Sequence, residues 1–429
     1  MVSYLPKTIF VLFFTLIFLL EGLSFKKGRE ISYVLILCMP SFLFYLHFMF
    51  KNRIKLSPFV GFVSALYIVF VSLSALSSKQ INVSIEGVLL TIAVVSLFIY
   101  SSYHRDELQN IVLAMIMILS FVFISRHVLY RLIPIDFGGL LTLSAFQFFY
   151  SFYPNHNQLG TFLTLPIITC FFYLFFTAPS VKTPTSESFI KKTMSWLLTK
   201  KHILLILFYF PFFIFSYSRS SYNSVFWTFI LMLFYNRKIL FSNNFFSKKK
   251  IVFIILFGII VLLMFFITVE EVKSIPIISS LHVWLQKYAG LGGKSFLSGR
   301  FLMFSDMLQR AEGKYLLGLG KPLIYSQSYT LHTNIGWPSH SLIVDIIAKQ
   351  GLLSFFAFVL LHVVIFVKSD KRSVFFYLWI NLFINFLTNW SYTFYSLYCI
   401  YFILPGLIPV ILSSSTQNKQ FIRSFYPID

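Results

Sequence analysis

Apolar runs of membrane-spanning length recur from one end of this chain to the other, and that feature removes most folds from consideration. They fall at about 6–24, 31–50, 58–77, 85–102, 109–129, 157–178, 203–217, 220–235, 251–268, 351–367, 374–391 and 394–413. Most approach the ~20 residues a helix needs to cross the hydrocarbon core. The chain therefore reads as an all-α polytopic integral membrane protein with about 12 transmembrane helices. It forms a single membrane domain over residues 1–429. Only 11% of its residues are charged, against ~25% in an ordinary soluble domain.

The formal net charge of +21 invites a nucleic-acid reading, but the placement of the basic residues argues against it. They sit between apolar runs, in "KNRIK" (51–55), "KK" (191–192), "TKK" (199–201), "SKKK" (247–250) and "KSDKR" (368–372). Such clusters hold a loop in the cytoplasm. With both termini cytoplasmic, the clusters at 51–55, 191–201, 237–250 and 368–372 all fall inside. Only "FKKGRE" (25–30) falls outside, partly offset by Glu21 and Glu30. No nucleic-acid partner is expected. Cys38, Cys170 and Cys399 lie inside apolar runs and form no disulfide framework. Glu21 follows the apolar residues 8–20 without a small-residue cleavage site, so a retained first helix is expected.

Two extracytoplasmic regions follow from this threading: one around 130–157, and a large loop over 269–350 between the ninth and tenth spans. A compact protein rarely keeps so long a loop without a use for it. Within it, "SGRFLMFSDMLQRAEG" (298–313) predicts an amphipathic helix, with Phe301, Phe304 and Leu308 on one face and Gly313 at its end.

The spans are nearly free of ionisable residues, whereas proton-coupled transporters carry them at mid-membrane. The functional polar groups are then expected at the outer face. Candidates are Arg126, Arg131, Asn155, His156, Asn157, Arg219, Arg300, Arg310, His332 and His340. Arg219, in "FIFSYSRSSYNSVFW", sits in a serine-rich island where a guanidinium can grip phosphate oxygens bidentately. The alternative is an arginine snorkelling from a helix end. Arg300 opens the loop helix and reads alone as an exposed residue. His340 opens a helix expected to run to about Gln350, with Ser339 as its cap and Gly351 as a hinge or breaker. The dipole there disfavours the imidazolium, which suits a general base and equally suits a capping histidine.

Other motifs fail. "GLGGKS" (290–295) lacks the first P-loop glycine, Tyr288 standing in its place. His332 and His340 are eight residues apart without an acidic cluster, so no metal site is expected.

Taken in order, an outward "SR" at 218–219, "SGR" at 298–300, "GLG" at 318–320, then "HS" at 340–341 with Gly351 eleven residues after the histidine resembles the O-antigen ligase and polymerase superfamily. "YPNHNQLGTFLTLPI" (153–167) is similar to the family's asparagine-containing segment. The resemblance covers roughly 150–370. His340, Ser341, Gly351 and Arg219 match the family's pattern, while Ser354 and Asn223 depart from it.

The resemblance implies a glycosyltransferase of the bacterial inner membrane with its active face in the periplasm. Its donor is an undecaprenyl-pyrophosphate-linked oligosaccharide, and no cofactor or metal is used. Arg219 and Arg300 would clamp the pyrophosphate and His340 would activate the acceptor hydroxyl. Arg310, Arg131, Asn155 and Asn157 are further substrate-binding candidates. The acceptor is a second lipid-linked repeat in a polymerase, or lipid A-core in a ligase, and a chain-length regulator is a candidate partner besides membrane lipids. The Phe and Tyr content and Asn223 in place of a leucine favour the polymerase. A lipid-linked oligosaccharide flippase is the alternative from another class.

Overall fold

A computed structural model describes residues 58–78, 81–132, 156–176, 189–216, 218–237, 307–320, 341–389 and 395–409, with isolated positions elsewhere. Nine helices are defined among them: α1 Pro58–Leu76, α2 Ile81–Tyr103, α3 Arg105–Leu132, α4 His156–Phe176, α5 Phe189–Phe215, α6 Arg219–Tyr235, α7 Leu342–Lys368, α8 Val374–Asn389 and α9 Tyr395–Leu407. No β-strand occurs among the described residues. A backbone surrounded by lipid has no water to satisfy its N–H and C=O groups, so apolar stretches of this length close their hydrogen bonds internally as helices.

Four segments are long and apolar enough to cross a membrane: Phe59–Leu76, Arg105–Ser125, Leu159–Phe176 and Leu342–Lys368. Their outward faces are themselves apolar, with Phe62, Val69, Leu76, Ile118, Phe121, Phe356, Val363 and Val367 exposed. In water such surfaces would aggregate; against lipid chains they cost nothing. The protein is an all-α membrane protein. The expected spans 6–24, 31–50 and 251–268 lie outside the described residues.

The almost wholly buried α4 is the hub, packing on α3, α5, α6 and α8. A second group joins α1 to α2 and α7, and α2 to α9, with α8 and α9 linking the two. Polar contacts sort the bundle into two ends. At one, Ser101 Oγ donates to Ile403 O (3.1 Å), Gln109 Nε2 to Leu407 O (3.2 Å), Asp370 N to Pro409 O (2.8 Å) and Asn236 Nδ2 to the Tyr377 hydroxyl (2.7 Å). Lys371 caps α7 there, its ammonium donating to the carbonyls of Phe366, Val367 and Ser369. Partial burial lowers its pKa, and Asp370 opposes that shift. We call this the lysine end. The opposite, glycine end holds Gly160, Gly320 and Gly351, each touching a neighbouring segment.

Proline inside a helix removes an N–H and orphans a carbonyl four residues back. In α4 that proline is Pro166, and the orphaned Phe162 carbonyl accepts from Ser120 Oγ of α3 at 3.2 Å. One serine thus repairs the break and ties two helices together.

Candidate functional site

Helix α7 is broken. Gly351 has φ 87° and ψ 170°, so Leu342–Gln350 forms a half-helix and a second helix continues from Leu352. The second part, to Lys368, covers about 25 Å at the α-helical rise, close to the ~30 Å of a hydrocarbon core. The expectation of a breaker at Gly351 is met, but the cap is Ser341 (φ −130°, ψ 125°) rather than Ser339. Both are capping residue types and local sequence does not choose between them. The helix thus starts at Leu342, and position 340 falls before the cap in sequence instead of opening the first turn as expected.

A break leaves backbone groups without intrahelical partners, and here the segment Tyr315–Leu319 supplies them. Leu352 N donates to Tyr315 O (2.8 Å), Leu353 N to Leu316 O (3.3 Å), and Leu319 N to Ala348 O (2.9 Å). Ser354 Oγ takes the Gln350 carbonyl at 2.8 Å. The Gly-Leu-Gly turn fits because it lacks side chains where backbones touch. A Cβ on Gly318 (φ 71°) would lie 2.4 Å from Gly351 N, and one on Gly351 would lie 2.4 Å from the Leu317 carbonyl carbon. Gly320 (φ 64°) presses on α1, where a Cβ would meet Ser74 O at 2.5 Å. The turn is wedged between the end of α1 and the break in α7.

Ahead of the turn, residues 307–310 are helical and docked on the half-helix. Met307 and Ala311 are buried against Ala348, Leu319 and Val344, while Leu308 is only half-buried. The buried face is centred on Met307 and Ala311 rather than on Leu308. The segment ends in Gly313, whose positive φ of 75° lets the chain turn.

Under the clasp lies an ion pair that sequence reading passed over. Asp345 Oδ2 and Lys349 Nζ are 2.7 Å apart, one helical turn from each other, with both side chains at 0% exposure. Two desolvated charges cost several kcal/mol each unless paired, so the pair is a demanding feature to keep. Beside it Tyr67 Oη donates to Gln350 Oε1 (3.2 Å) and Ser74 Oγ to Lys349 O (3.4 Å).

The second polar feature at this end surrounds the start of α6. Arg219 is its first residue. The neighbouring Ser218, Ser220 and Ser221 are all buried. Ser218 Oγ lies 3.2 Å from Ser220 Oγ and 2.7 Å from Ser221 Oγ. Asn385 of α8 donates to Ser221 Oγ (3.2 Å) and accepts from Thr161 of α4 (3.0 Å). Asn381 accepts from Thr164 (2.6 Å) and donates to Ser224 and Thr228 (3.3 Å each). A membrane-buried hydrogen bond contributes only ~0.6 kcal/mol on average, so this seam fixes geometry more than it adds stability.

Because α7 and α8 are joined by a short turn at the lysine end, the α7 break and the far end of α8 lie at the same, glycine end. Of the expected site residues, Arg310 is exposed at the close of the docked loop segment. The main chains of Arg219, Arg131 and Asn157, and of Arg126 and His156, belong to α6, α3 and α4. His340, Arg300, Asn155 and His332 lie outside the described residues. Among the described residues no three His, Cys, Asp or Glu side chains gather as a metal set.

The fold and this end of the bundle define an all-α membrane protein with a broken helix clasped by a glycine turn. No protein-family model, characterised protein or solved structure matches this chain.

Proposed function

We propose that the protein is a twelve-span inner-membrane glycosyltransferase that polymerises undecaprenyl-pyrophosphate-linked glycan repeats at the outer membrane face, with the glycine end outward. The observation that supports this reading is the clasp. Gly318–Gly320 and Gly351, which the family resemblance singled out only by their order, are in backbone contact. The clasp holds the large loop on the half-helix that His340 introduces.

In this reading the acceptor hydroxyl attacks the anomeric carbon of the donor glycan. The bond from that carbon to the pyrophosphate oxygen breaks, and the hydroxyl proton passes to His340. Undecaprenyl pyrophosphate leaves with its charge held by Arg219 and Arg300, the role a preorganised cation plays at a developing anion. Arg310, Arg131, Asn155 and Asn157 would line the remaining polar surface. A ligase shares this donor chemistry and differs in passing the glycan to lipid A-core.

One observation favours a second reading, a lipid-linked oligosaccharide flippase. Broken helices with polar groups at the break are also how transporters build substrate sites, and the Asp345–Lys349 pair lies at one. Membranes supplied with lipid-linked repeat units separate the readings. Glycan ladders on undecaprenyl pyrophosphate without added core, reduced about 100-fold or more by His340→Ala and by Arg219→Ala at equal expression, are expected. Product only with core makes the protein a ligase. Translocation without new glycosidic bonds makes it a flippase.

A further inference from the structure

We propose that Asn385, with Asn381 one turn away on α8, is a positioning residue that fixes the first turn of α6 and so sets the main-chain position of Arg219. This rests on the reading of Arg219 as a pyrophosphate ligand. The signature is a cap that does not cap. Ser218 occupies the N-cap position of α6 with extended geometry (φ −93°, ψ 101°), yet its side chain makes no capping hydrogen bond. An N-cap serine ordinarily accepts from a first-turn N–H. Here its hydroxyl is instead engaged by Ser220 and Ser221, and Ser221 is held by Asn385. The helix gives up local stabilisation for attachment to two other helices.

The attachment has three-way register. Asn381 and Asn385 share one face of α8; Ser221, Ser224 and Thr228 recur along one face of α6; Thr161 and Thr164 do so on α4. Each carboxamide presents its oxygen to α4 and its two N–H groups to α6. A carboxamide has the donors and acceptor to bridge in this way, and a leucine has neither. Gly160 completes the arrangement by letting α4 come against the same turn, where a Cβ would lie 2.5 Å from Ser218 Cβ and 2.7 Å from Ser221 Oγ. An aliphatic seam would hold three membrane helices together equally well, but it would not fix the rotation and axial position of α6.

The test compares the full-length protein with Asn385→Leu, Gly160→Ala and Arg219→Ala, and combines the first with the last. Hydrogen exchange of the peptide spanning Ser216–Ser224 should accelerate about tenfold in Asn385→Leu and Gly160→Ala. Affinity for the undecaprenyl-pyrophosphate donor should weaken about tenfold and kcat should fall about tenfold with it, because Arg219 in that reading also holds the charge of the leaving pyrophosphate. Asn385→Leu should weaken donor binding no further when Arg219→Ala is already present. Unchanged exchange at α6 overturns the inference whatever the activity. So does an equal loss of kcat in both backgrounds, which is what mere loss of folded protein produces. Full donor binding and turnover by Arg219→Ala would instead sink the functional reading, and the exchange measurement would still decide whether Asn385 fixes this turn.

Discussion

Replacing Lys349 by methionine is expected to cost about 3–5 kcal/mol and to lower the apparent unfolding midpoint by roughly 5 °C or more. The substitution keeps the volume and removes only the ammonium. Asp345 would then keep a carboxylate at 0% exposure without the cation 2.7 Å away. The half-helix cannot easily relieve this strain by undocking, because Leu342 and Ile346 are buried in the main core and Ala348 packs on Met307 and Ala311.

The double variant Asp345→Leu with Lys349→Met gives the decisive comparison. Removing both charges removes both desolvation costs, so it should be more stable than the single variant and close to the parent in a detergent melt. If it is as unstable as Lys349→Met, the charges are not what matters and the account of the pair fails. If it is stable but inactive in glycan transfer, the pair serves the reaction as well as the fold.

The helices were legible because lipid enforces them. Runs at 58–77, 220–235 and 374–391 became α1, α6 and α8 within a few residues. The misreading of α5 has one cause: hydropathy stops at charges, and helices do not. Lys191, Lys192, Lys200 and Lys201 moved the expected start of α5 to 203, yet the helix begins at Phe189 and runs out beyond the apolar stretch.

The site was legible in its backbone and not in its side chains. Gly351 could be read as a breaker, and Gly313 as an end, because positive φ selects glycine. That Gly318 would touch Gly351 could not be read, since the contact joins segments with more than thirty residues between them. Two signals were available and missed. Asp345 and Lys349 stand four apart, the spacing of a helical ion pair. Asn381 and Asn385 repeat at the same interval in an otherwise apolar run, which marks an interhelical polar seam. That Ser221 would pair with Asn385 could not be read, because a serine reads alike whether it faces water or a neighbouring asparagine.

The clasp makes the other large prediction, and it carries an internal control. Gly351→Ala and Gly318→Ala are each expected to abolish transfer and to speed tryptic cleavage at Arg310 and Lys314, whereas Gly313→Ala should do neither. All three glycines have positive φ, at 87°, 71° and 75°, so all three substitutions incur backbone strain. That strain alone is about 1–2 kcal/mol for a left-handed residue. What separates them is space. Nothing lies within 4 Å of a Cβ on Gly313, whereas on Gly318 or Gly351 it would sit 2.4 Å from main-chain atoms of the other segment. Main chain cannot swing aside as a side-chain tip can, so the turn must leave the break. Leu352 N, Leu353 N and the Ala348 carbonyl then lose their partners in a setting where few others exist. The docked segment carrying Met307 and Ala311 goes with them. Equal behaviour of all three alanine variants would mean that strain, not the clasp, sets the outcome.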